Sequence, residues 1–168
     1  MRSQTFPVPV DPRVALMIAG FESAGQPISM TPERFASLTD TWVVTSQTPT
    51  EVAGLLSVTR SLYCHGFYVY EFATVAVQQA FIALEAALAH RLSRPKDALG
   101  DLIIRAHRQG LLDATAFESL DEGARRLRNG FSHARVQQVW TLGMAAPVIA
   151  RVFATVATLW PETNSNSS

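Results

Sequence analysis

The segment Arg125-Arg126-Leu127-Arg128-Asn129-Gly130-Phe131-Ser132-His133 places three arginines, an asparagine and a histidine within nine residues. These types could combine proton transfer with the holding of a phosphate or carboxylate. A histidine, with an unperturbed pKa of about 6.5, gives or takes a proton at neutral pH. A guanidinium offers a planar fork of donors to charge growing on phosphoryl oxygens. Asn129 would hold His133 in one tautomer or contact the phosphate. On an unbroken helix, positions five apart turn about 140° away from each other, so Arg128 and His133 would diverge. A left-handed Gly130 that ends the helix would let the chain fold back and bring them together. The catalytic set on this reading is Arg128, Asn129 and His133, with Glu85, Arg125, Arg126 and Gly130 in support. Glu85 enters because a carboxylate in an apolar helix needs a cation, and Arg128 or another buried cation would supply one.

Plainer tasks suit the same residues. Arg128 and His133 at a helix C-terminus would satisfy terminal carbonyls and the helix dipole, and Arg125 and Arg126 read equally as a solvated face. The spacing of Arg128 and His133 recurs at Arg60 and His65 and reads there as coincidence. His107, between Arg105 and Arg108, reads as part of a polar face. No pair of histidines or carboxylates has metal-ligand spacing, so neither a metal nor another cofactor is expected.

The elements that must position the motif are helical. Thr48-Pro49-Thr50-Glu51 has the form of a capping box and opens a helix to about Cys64, before Gly66. A long helix follows over about Phe67–Leu92. Val77, Phe81, Leu84 and Leu88 recur on one side, and Phe72, Val75, Ile82 and Ala86 cover much of the other. Such a helix is central in a bundle or buried between subunits. A third helix spans about Asp97–Arg108, stopped by Gly110. A fourth is capped by Asp113 and runs to about Asn129, and a last one covers about Thr141–Trp160 before Pro161. The expected fold is all-α: an antiparallel bundle of four to five helices over residues 49–161. An irregular arm precedes it at 1–48, and a disordered tail follows at 162–168. Within the arm, Thr31-Pro32 predicts a short helix, and Val8–Phe21 and Trp42–Thr45 predict short extended pieces.

The 168 residues suffice for one domain with a core, at 48% hydrophobic and 17% charged. A formal net charge of zero argues against a protein that coats nucleic acid, since that draws on excess positive charge, but leaves room for a basic pocket. Lys96 is the only lysine and Cys64 the only cysteine, so no internal disulfide forms. The apolar stretches are interrupted by Gln78, Gln79 and Glu85, and by Pro147 and Arg151, so no membrane span and a cytoplasmic location are expected.

Arg128-Asn129-x-x-x-His133 resembles the signature of the HEPN family: an arginine, a polar residue directly after it, and a histidine a few positions on. Leu127, the upstream helix from Val77 to Leu88 and the closing apolar helix agree with that resemblance, which covers about residues 50–160. It implies an endoribonuclease that cleaves RNA without metal, by attack of the 2′-hydroxyl, leaving a cyclic phosphate and a 5′-hydroxyl. It further implies a homodimer with facing motifs, each chain supplying one histidine. The setting it implies is bacterial defence, stress or a toxin–antitoxin pair, with an antitoxin protein as partner. Two other readings stay open: a non-catalytic module that binds RNA or a nucleotide or dimerises, and a scaffolding bundle in which the Arg128–His133 pair is structural.

Overall fold

The computed structural model describes residues 8–132 and 140–162. Helix makes up 62% of the protein, with a small two-stranded sheet. In chain order the elements are α1 (Pro12–Ala15), β1 (Ile18–Phe21), β2 (Pro27–Ser29), α2 (Pro32–Ser37), α3 (Thr50–His65), α4 (Phe72–Leu92), α5 (Leu99–Arg108), α6 (Ala114–Ser132) and α7 (Leu142–Leu159).

α4 lies at the centre of the packing: α3, α5 and α7 all pack on it. Ala73, Ala76, Ala80, Ala83 and Ala87 are fully buried along it, and such small side chains let neighbouring helices approach closely. Val77, Phe81, Leu84 and Leu88 are buried, as their spacing predicts. Val75 and Ile82, expected to be covered, are 40% and 53% exposed. By length and composition alone α4 and α7 could cross a membrane, but about half of each lies buried inside the protein (50% and 44%). α7 continues through Pro147.

Several helix ends follow from local chemistry. The Thr31 hydroxyl accepts from the Arg34 amide with Pro32 in the first turn, and Gly110 adopts φ +71° just beyond α5. The Asp113 carboxylate accepts from the Ala116 amide at 2.7 Å, and Thr141 caps α7 through the Met144 amide. The capping box at Thr48 does not form. Pro49 occupies the cap position of α3 with no side-chain hydrogen bond, while the Thr48 hydroxyl, buried, pairs with that of Thr45 at 2.9 Å. A hydroxyl that can be satisfied inside the core gains more there than at a wet helix end.

Residues 8–48 are more ordered than expected and share the core. Val14, Phe35 and Trp42 are buried in the same cluster as α3, α4 and α7. Phe35 stacks on Tyr63 at 5.2 Å, and Trp42 packs against Tyr63 and Phe153 at 5.0 and 5.3 Å. Pairs of this kind contribute about 0.5–1.5 kcal/mol each beyond area burial. β1 and β2 form an antiparallel hairpin, Phe21 opposite Pro27 and Ile18 opposite Ser29, closed by a turn with Gly25 at φ +78°. β1 falls within the extended piece expected at Val8–Phe21, although Ile18-Ala19-Gly20-Phe21 lacks polar–apolar alternation; its partner β2 was not foreseen. Between Val8 and Phe21 the chain also forms α1, and Trp42–Thr45 is not a strand. At the other end, Glu162 accepts from the Ser46 amide and hydroxyl at 2.7 Å each. The tail, expected to begin at 162, is therefore tied down at its first residue; residues 163–168 lie outside those described.

Two features carry measurable consequences. A Cβ at Gly66 would sit 2.8 Å from both Leu142 Cδ2 and the Tyr63 carbonyl, so only glycine lets α3 end this close to α7. Gly66→Ala should destabilise the protein by about 1–3 kcal/mol, read as a lower urea midpoint with unchanged slope. Secondly, Asp11 accepts from the Arg13 amide and side chain and from the Tyr70 amide, and Arg13 reaches Glu71 at 2.8 Å, pinning the arm to the α3–α4 turn. The Arg13 hydrogen bonds hold the Asp11 carboxyl well below the usual carboxylate range, against a smaller upward push from burial. A carboxyl depressed in the folded state stabilises above its unfolded value and loses that contribution as pH falls through the folded one. Asp11→Asn should therefore lower the melting temperature at pH 7, and the gap to wild type should narrow as pH drops below about 4.

Candidate functional site

The arginine-rich segment forms the C-terminal half of α6. That helix owes its amphipathic form to Ala116, Leu120 and Gly123, which are buried, with Ala124 and Leu127 half-buried beside them. Gly123 is where α6 meets the central helix: an added Cβ would come within 2.5 Å of Phe81 Cζ. This approach, together with the packing of α6 on α5 and α7, fixes the rotation of α6 and so the direction of each arginine.

Arg128 is exposed, and so are Arg125 and Arg126. Arg125 pairs with Asp121 at 2.8 Å, and Arg126 pairs with Glu122, each one helical turn back. These are exposed pairs of the kind that contribute about 0–1 kcal/mol, cheap to exchange for another anion. Arg126 and Arg128 are two residues apart, about 200° around the helix, so they face opposite flanks of α6. The three arginines do not form one cradle.

Two supports assigned from the sequence change. α6 does not end at Gly130: helix continues through it to Ser132, so the break invoked to turn the chain back is not there. Helical hydrogen bonding through glycine costs only about 1 kcal/mol relative to alanine, too little to force a stop. Asn129 lies within the same helix, and His133 lies outside the described residues. Glu85, read as a carboxylate needing a cation, is exposed on α4 and belongs to none of the ion pairs among the described residues. Water solvates it, so the burial cost that motivated a pairing with Arg128 does not arise.

The other titratable candidates resolve into structure. His107 is not on a free polar face: its ring stacks on Phe117 at 4.4 Å and its Nδ1 lies 2.9 Å from the Leu112 carbonyl, closing the α5–α6 turn. His90 packs edge-on against Trp160. His65 Nδ1 lies 2.7 Å from the Ser61 carbonyl one turn back. Burial pushes the Cys64 thiol up, away from the reactive thiolate. Among the described residues no three His, Cys, Asp or Glu side chains gather closely enough to hold a metal ion.

A cleft that sequence reasoning missed lies between α6 and the start of α7, with a volume of about 210 Å³. Ser119, Glu122, Gly123 and Arg126 line it from α6, and Trp140 and Met144 from the other side. The first four recur at one-face helical spacing, and Ser119 and Gly123 are small, a signal that was legible. What faces them was not, because it comes from a helix more than fifteen residues later.

The chain matches no protein family, no curated protein and no solved structure. The geometry of α6 is thus the basis for assigning a function. If Glu85 is as free in water as its exposure indicates, Glu85→Gln should change the unfolding free energy by less than about 0.5 kcal/mol. A loss above 2 kcal/mol in denaturant titration would restore the paired, buried carboxylate.

Proposed function

We propose that the protein is a HEPN-like, metal-independent endoribonuclease of a bacterial defence, stress or toxin–antitoxin system, acting on RNA through Arg128, Asn129 and His133. The observation that carries this reading is that Arg128 is presented to solvent in the last turns of α6, five residues before His133. In that position its guanidinium can meet a phosphodiester without unmaking the core. The order of elements supports it as well, since the motif follows a long apolar helix and precedes a closing one, within what we read as an antiparallel bundle. On this reading α4 and α7 are core helices of a cytoplasmic protein. His133 takes the proton of the attacking 2′-hydroxyl or returns one to the leaving oxygen, and Arg128 holds the phosphoryl charge. The second proton-transfer group comes from a partner chain in a homodimer with facing motifs, and an antitoxin protein would hold the activity in check.

One observation favours the second reading, a HEPN-like module that binds RNA or a nucleotide or dimerises without cutting. Unbroken helix through Gly130 removes the turn that was to bring Arg128 and His133 together. A formal net charge of zero points the same way, because long RNA favours a basic surface.

RNA cleavage separates the two. Purified protein in excess chelator should cut total cellular RNA to cyclic-phosphate ends, and His133→Ala and Arg128→Ala should each lower the rate by about 100-fold or more. Cleavage at wild-type rate by both folded variants would remove this site. Silence from the wild type, with RNA still bound, would establish the binding module.

A further inference from the structure

We infer that the cleft between α6 and α7 is a binding site for a guanine nucleotide unit, separate from the Arg128 motif on the other flank of α6. The argument begins with size. At about 210 Å³ the cleft is below the usual range for drug-sized ligands and fits a single base better than an extended chain. Its walls suit a flat aromatic ring. Met144, which lines it, is 48% exposed, a large apolar side chain left in water, and one edge of the otherwise buried Trp140 borders it as well. Thioether and aromatic groups both take a base face readily. On the α6 side the small Ser119 lines the cleft and leaves space beside Glu122 and Arg126.

The rim supplies the polar half. The Glu122 carboxylate pairs with Arg126, but two carboxylate oxygens offer about four acceptor positions, so it can still take further donors. Among the bases, guanine offers the neighbouring ring N–H and amino N–H pair that a carboxylate receives side by side, whereas adenine presents a single amino group with acceptors beside it. Arg126 has five donors, of which its surface pair uses a minority, and it stands at the same rim for the phosphate. The site therefore carries an acceptor for the base edge, a cation for the phosphate and apolar faces between.

Free guanine nucleotide and guanosine within an RNA strand share this chemistry, and the test has an arm for each. Calorimetry with the full chain would compare guanosine 5′-monophosphate with adenosine 5′-monophosphate, and the pentaribonucleotide UUGUU with UUAUU. A guanine preference of about tenfold or more is expected in at least one arm, that arm identifying the source. Glu122→Gln, an exposed substitution that leaves the fold intact by circular dichroism and melting temperature, should erase the preference. Ser119→Trp, which fills the cleft, should abolish binding of the preferred ligand. Equal affinity for both bases in both arms, or a preference that survives Glu122→Gln, overturns the assignment. The readout is binding, so RNA cleavage without guanine preference would defeat this site while leaving the ribonuclease proposal standing.

Discussion

The contact between Phe81 and Gly123 is the constraint on which the rest of the site depends. Phe81 is 97% removed from solvent at the middle of the central helix, and its ring occupies the space where any other residue at 123 would carry a Cβ. Cores at this density do not slide continuously; a helix seated on a ring this way has one height and one rotation. From that seat, and from the packing of α6 on α5 and α7, the directions of the α6 side chains follow. Arg128 turns to one flank, while Ser119, Glu122 and Arg126 turn to the cleft on the other.

A second group of contacts joins the chain ends to this frame. The Phe35–Tyr63–Trp42–Phe153 aromatic cluster holds the arm at Phe35 and Trp42 against α3 and α7. The Asp11–Arg13–Glu71 pin and the Ser46–Glu162 hydrogen bonds close it at the edges. The two kinds of contact differ in physical character. The aromatic contacts are buried and independent of pH, whereas the polar pins are exposed or partly so and are weakened by acid and salt. Local opening should therefore begin at the pins and leave the aromatic cluster intact longest.

The separation of Arg126 from Arg128 changes what the arginine-rich segment can do. In the linear sequence the three arginines look like one phosphate-gripping patch. On a helix, two residues of separation is more than half a turn, so the patch divides into two faces with different neighbours. One face borders the cleft between α6 and α7; the other carries Arg128.

Helix positions, most stops and the apolar faces of α4, α5 and α7 were legible from the chain alone, because 3.6-residue periodicity, Gly110, Asp113 and Thr141 act within a turn of themselves. The pairing of β1 with β2 was not, since an extended piece was legible only as far as Phe21 and the three-residue β2 lacks alternation. Nor was the fate of Thr48, whose hydroxyl chose a buried partner, Thr45, over its own helix end. Glu85 and Gly130 show the limit most clearly. Whether a carboxylate on an apolar helix is buried depends on which arc the neighbouring helices cover, and whether a glycine ends a helix depends on competing contacts worth about 1 kcal/mol. Sequence periodicity says that a face is apolar; only the packing of α3, α5, α6 and α7 around α4 decides which part of that face meets water.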